Sequence, residues 1–249
     1  MKQIMFKYVF VMMASLIWLS SCQKELRTFP AGISDATRSS KAAANVKGAP
    51  FKVDLQHVYM HIEDAMGNVP AGDATLLFNK NGGQHLPIMT PDGDHQLTLG
   101  EYNRMSGYAT IKCVNNGTHV VMHLTGLIPN GVYTIWTLVY VAPGFDGVNV
   151  PKNRVGFGAL GTIDGGANSN AFTASAAGTA SISVMRPAGK LMTDGSVNPH
   201  PNYEIPGCFS DVFEVHLALA YHLNNTAAAP GPPPTWIVQG FFQIWGSQI

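Results

Sequence analysis

Residues 132–141, Val-Tyr-Thr-Ile-Trp-Thr-Leu-Val-Tyr-Val, run without a glycine, a proline or a charge. Both alternate sets are apolar or β-forming, so neither face of this segment favours water and the strand it makes must be covered on both sides. That places it in the middle of a sheet and commits the chain to building neighbours around it. The rest of the sequence supplies them. Residues 212–223 alternate cleanly through Phe213, Val215, Leu217, Leu219 and Tyr221, and Trp236 to Trp245 is another aromatic-rich run. Segments 108–113 and 119–124 flank Asn116-Gly117, a hairpin signal.

Three further readings complete the architecture. Residues 53–62 alternate with both sets mixed, which predicts a strand covered on both sides or lying near an edge. Residues 172–176 and 180–184 are expected to pair across Ala177-Gly178-Thr179. Thr98 followed by Glu101 is a capping box for a single short helix that Gly107 would stop. Segments 142–170 and 186–210 are rich in glycine and proline and interrupt the strand pattern. The expectation is an all-β fold, an antiparallel β-sandwich or jelly-roll-like domain with one short helix and two loop-rich insertions.

Composition agrees. With 46% hydrophobic and 12% charged residues, 26 Gly and 16 Pro, the chain is neither a disordered tail nor a coiled coil. Its formal net charge is zero, and after residue 50 there are eight basic residues against thirteen acidic ones. A mildly acidic body carries no field that would attract nucleic acid, so no nucleic-acid partner is expected.

Lys2 and Lys7, an apolar run from Tyr8 to Trp18 and then Leu19-Ser20-Ser21-Cys22 read as an export signal too short to span a bilayer comfortably. Leu-Ser-Ser-Cys resembles the bacterial lipobox, which implies that residues 1–22 are the signal segment and that Cys22 carries the lipid anchor. Several acyl chains hold a protein to a membrane stably. Gln23-Lys24-Glu25 resembles the short export signal of some outer-membrane lipoproteins, which implies an outer-membrane address, surface-exposed or on the periplasmic face. Residues 23–50 lack a sustained apolar period and read as a flexible tether, leaving 51–249 as a single domain.

Cys113 and Cys208 then remain in an oxidising compartment, where one disulfide is the economical reading and a thiolate metal ligand the competing one. Cys113, His119 and Met122 loosely resemble the copper loop of cupredoxins, but their spacing is longer and a hairpin turn divides them. Leu127, Pro129, Tyr133, Thr134 and Trp136 make a pattern, Gly-Leu-x-Pro-x-x-x-Tyr-Thr-x-Trp, that is similar to one in uncharacterised secreted bacterial β-sandwich proteins. That resemblance implies a fold and no reaction.

Chemistry is sparse. There is no Gly-x-Ser-x-Gly elbow, no phosphate-binding glycine loop, no His-Glu-x-x-His and no Cys-x-x-Cys. Glu214 and His216 lie two apart on one strand face, ~6.6 Å apart, and could hold a metal ion if the strand carrying His119 and His123 lay beside theirs. The simpler reading makes them polar positions on the less buried face. Tyr140, Phe145, Phe157, Tyr203 and Phe209 stand in or beside the loop-rich segments, where ligand contacts are usually built. The function expected is a lipid-anchored cell-envelope protein with a non-catalytic binding or structural module, for an unknown ligand or envelope protein. The alternative is a metal-binding or metal-dependent oxidoreductase domain centred on Glu214 and His216. No cofactor is otherwise predicted.

Overall fold

A computed structural model describes residues 49–80, 83, 85–114, 117–145, 154–160, 162–163, 170–187, 189–190, 204–205, 213–224 and 236–245. All of them fall within the unit Ala44–Ile249. Cys22 and the tether lie outside the described residues.

The apolar run becomes strand β8, Val132–Val141, and its two covered faces are explained by its position. On one side it pairs along its length with β15 (Phe213–His222), which pairs in turn with β16 (Trp236–Trp245). On its other side β11 (Ala171–Thr173) and β9 (Arg154–Ala159) lie against successive parts of β8. With β2 (Gln56–Met60) along β16, these strands make a six-stranded antiparallel sheet. A second sheet has five strands in the order β1 (Phe51–Asp54), β6 (Ser106–Val114), β7 (Gly117–Thr125), β12 (Ala180–Pro187) and β10 (Thr162–Ile163). Smaller sheets join β3 (Ile62–Glu63), β4 (Phe78–Asn79) and β5 (Leu86–Pro87), and β13 (Gly189–Lys190) with β14 (Glu204–Ile205). The fold is all-β and antiparallel.

One core is shared by the two large sheets. Ile111, Val120, Met122 and Val184 of the five-stranded sheet cluster with Tyr133, Ile135, Leu217 and Phe242 of the six-stranded one. The six-stranded sheet also buries its other face. Val58, Leu138, Tyr140, Ala218, Val238 and Phe241 form a second apolar cluster there, with Met60, Trp136, Phe145 and Trp236 packed against it. Double burial is why β8 and β15 carry so little charge.

Helix α1, Leu99–Tyr102, is short and starts as the capping box requires: Glu101 N–H donates to the Thr98 hydroxyl, and the Glu101 carboxylate accepts the Thr98 N–H at 2.9 Å. β6 and β7 pair antiparallel along their whole length, as the hairpin reading expects.

Two pairings differ from the sequence reading. Residues 53–62 are not one strand. β1 belongs to the five-stranded sheet and β2 to the six-stranded sheet, the chain crossing over at Leu55, whose N–H donates to the Gly107 carbonyl at 2.9 Å. The mixed alternation reflects that change of sheet. His61, with φ of 67°, breaks the strand again. Likewise β11 and β12 do not pair with each other, because β11 adds to β8 and β12 to β7. The turn between them, held by Gly178 N–H donating to Ser175 O at 2.9 Å, carries the chain from one sheet to the other.

Candidate functional site

Glu214 and His216 do share a face of β15, the one turned away from the common core, and both are buried. The His216 Nε2–H donates to Glu214 Oε1. The same oxygen accepts Gln243 Nε2–H at 3.0 Å from β16, and Oε2 accepts the Phe145 N–H at 3.1 Å. Both carboxylate oxygens are thus engaged within the chain. The imidazole stacks on Phe241 with ring centroids 4.8 Å apart and meets Phe145 edge-on at 5.2 Å, with Tyr140 at 5.0 Å. This arrangement fastens the segment after β8 onto the sheet and shields a buried Glu214–His216 hydrogen bond among aromatic rings.

His119 and His123 are not part of that cluster. They lie on β7, whose neighbours are β6 and β12, and they point away from the common core on the five-stranded sheet while Glu214 and His216 point away from it on the other. His119 Nε2 contacts Ser183 Oγ at 2.8 Å, and His123 Nδ1 contacts Ser181 Oγ at 3.3 Å. The condition for a shared site, that the two strands be adjacent, is not met. Among the described residues no group of three or more His, Cys, Asp or Glu side chains is placed to hold an ion.

The cysteine expectation is also corrected. No complete cysteine pair lies among the described residues, so the Cys113–Cys208 disulfide is not retained as a described bond. Cys113, opposite Thr118 in the hairpin, is itself disulfide-bonded, and Cys208 lies outside the described residues. Of the proposed contact aromatics, Tyr140 is a strand residue only 1% exposed and Phe145 covers His216, so both pack the second cluster. Phe157 stands opposite Leu138 in β9, while Tyr203 and Phe209 lie outside the described residues.

A different place gathers polar groups at a concavity. A cleft of about 330 Å³ is lined by the turn Thr90–Asp92 with His95, by Leu97, Glu101 and Arg104 around α1, by Gly126–Asn130 after β7, and by Ala177. The 90–95 turn is closed by Gly93 N–H donating to Thr90 O at 2.9 Å and by Asp92 Oδ1 accepting the Asp94 N–H at 3.1 Å. Glu101 serves twice: Oε2 caps the helix while Oε1 lies 2.9 Å from His95 Nε2. Partial burial pushes its carboxyl upward, but hydrogen bonds from the Thr98 N–H, His95 and the Thr98 hydroxyl outweigh that and hold its pKa below the usual value. The exposed Asp92 is held below the usual carboxylate range chiefly by the Thr90 hydroxyl and the Asp94 N–H.

The cleft therefore offers carboxylates (Asp92, Glu101), a guanidinium (Arg104) and an imidazole (His95) around apolar Leu97, Leu127 and Ile128. Such a lining suits a small ligand with both donors and acceptors and one apolar face. The meeting of these segments is a long-range event that no local pattern signals. No protein-family model matches the chain, and no curated protein matches it either.

Proposed function

We propose that this protein is a lipid-anchored cell-envelope component whose body is a β-sandwich acting as a non-catalytic binding module, with the cleft between residues 90–95, α1 and residues 126–130 as its ligand site. The observation that carries this reading is the cleft itself, with polar side chains of both signs converging on an apolar floor from three turns and a capped helix. The sandwich reading is supported by the core common to the two sheets and by the segments that switch sheets at Leu55 and between β11 and β12. Tyr133 adds to it, since its hydroxyl accepts the Ile128 N–H five residues upstream at 2.9 Å, the arrangement of a tyrosine corner in such folds. The anchor rests on Leu19-Ser20-Ser21-Cys22 behind a basic start and an apolar run.

Two experiments test the proposal. Expressed in a Gram-negative host, the chain should label with palmitate and sediment with outer membranes, and Cys22→Ala should abolish both. Unchanged fractionation of that variant overturns the anchor. For the cleft, saturation-transfer NMR with a panel of monosaccharides, amino acids and dipeptides should show a probe that binds the wild type and is lost in Arg104→Ala. Conversion of that probe to a product, abolished by Glu101→Gln, would replace the binding module with an enzyme.

A further inference from the structure

Arg186 lies near the end of β12, two residues beyond Val184, which belongs to the common core. Alternation along the strand turns Arg186 to the same inward side, and only 6% of its surface is exposed. Its Nε has no hydrogen-bond partner, and among the described residues no carboxylate pairs with it. Burial is what pulls its pKa down from the ordinary guanidinium value.

The neighbouring strands continue the picture. Arg186 stands opposite Thr118 on β7, and Thr118 opposite Cys113 on β6, so the three form a row across the Gly117 end of the sheet. Thr118 is fully buried. A guanidinium stays charged at any pH a protein meets, and burying one without a counter-charge is costly. A negatively charged ligand group would supply the counter-charge that the described residues do not. A planar fork of N–H donors is matched best by a group with two terminal oxygens.

We propose that Arg186 is the receptor of an oxyanion-binding site at the Gly117 end of the five-stranded sheet, taking the carboxylate or phosphate group of a small ligand. The site is separate from the cleft. β7 runs nine residues from Gly117 to Thr125, and the cleft begins at Gly126, so roughly 27 Å of strand divides them.

The test uses the full chain, titrated with sodium phosphate and, separately, with sodium succinate, each against sodium chloride at matched ionic strength. The expected result is a saturable rise in thermal midpoint with an oxyanion and not with chloride; response to phosphate alone assigns a phosphoryl ligand, and to succinate alone a carboxylate. Arg186→Met should lose at least tenfold in apparent affinity while melting no lower than the wild type in chloride, because the charge it deletes is buried and has no carboxylate partner among the described residues. Arg186→Lys, which keeps the charge without the fork, should fold and also bind at least tenfold more weakly. A midpoint that rises equally in chloride overturns the site, as does a full response in either variant. So does an Arg186→Met protein much less stable than wild type in chloride, which would reveal a partner for the guanidinium within the chain.

Discussion

The Tyr133 hydroxyl donates to Gln239 Oε1 at 2.8 Å, joining β8 to β16 across the strand that separates them. Gln239 passes the connection on, its Nε2 donating to Tyr102 O at 3.0 Å in α1. The Tyr102 hydroxyl reaches the Val58 and Val238 carbonyls, so a chain of hydrogen bonds runs through the core where β16 bulges. Tyr133, Tyr102 and Gln239 are all fully buried, and burial drives the pKa of both phenols upward, keeping them protonated donors.

Tyr133→Phe therefore strands two buried partners, the Ile128 N–H and Gln239 Oε1. The expected loss is about 1–3 kcal/mol, the cost of leaving such groups unpaired. Urea denaturation measures it. A change under about 0.5 kcal/mol would mean that water or a rotated Gln239 replaces the phenol.

What the sequence disclosed was local. The continuous run of β8, the alternation of β15, the pairing of β6 with β7 and the Thr98–Glu101 cap each depend on residues close in the chain, and each formed. Partner choice between distant strands does not leave a local trace. Leu55 looks like any strand residue, yet the chain changes sheet there, and Ala177-Gly178-Thr179 looks like a hairpin turn while serving as a crossover. The same limit governs the sites. That Glu214 and His216 share a face followed from alternation, but the aromatic enclosure by Phe145 and Phe241 and the distance from His119 followed from topology.

The Glu214–His216 pair makes a second prediction. Glu214→Ala leaves the imidazole, the Gln243 amide and the Phe145 N–H without their acceptor, and should cost about 1–3 kcal/mol for each donor left buried and unpaired. Glu214→Gln keeps the shape but presents an amide NH₂ where one donor already points, and should lie between the alanine variant and wild type. Equilibrium denaturation at neutral pH orders the three proteins. Equal stability of Glu214→Ala and wild type would remove any structural role for the pair.

His61 predicts a pH dependence. Burial, with a smaller contribution from Lys80, lowers its pKa to about 4 from an ordinary 6.5. A histidine depressed in the folded state is neutral there while the unfolded chain takes up a proton, so its contribution is fully present above pH 6.5 and is lost as pH falls toward 4. The loss should approach about 3 kcal/mol at the low end. His61→Asn is the informative variant, because asparagine accepts the positive φ of this position and does not titrate. Its stability should fall less steeply than that of wild type between pH 6.5 and 4. Parallel curves would assign the acid sensitivity to other groups.

Gly126 connects backbone geometry to the cleft. Its φ is +65°, and a Cβ added there would lie 2.0 Å from the Arg104 carbonyl oxygen and 2.5 Å from its carbon. Two costs arise in Gly126→Ala: the left-handed conformation, about 1–2 kcal/mol for a residue with a side chain, and displacement of the backbone at Arg104. Gly83 separates them, since its φ is +72° with nothing within 4 Å of the added carbon. Gly83→Ala should thus lose only the conformational part, and Gly126→Ala should exceed it by about 2 kcal/mol or more. Because Arg104 and Gly126 both line the cleft, Gly126→Ala should also weaken any probe that binds there, while Gly83→Ala leaves binding unchanged. Equal destabilisation of the two variants in thermal denaturation would show that the 104–126 contact yields at little cost, and that the cleft wall is softer than its packing implies.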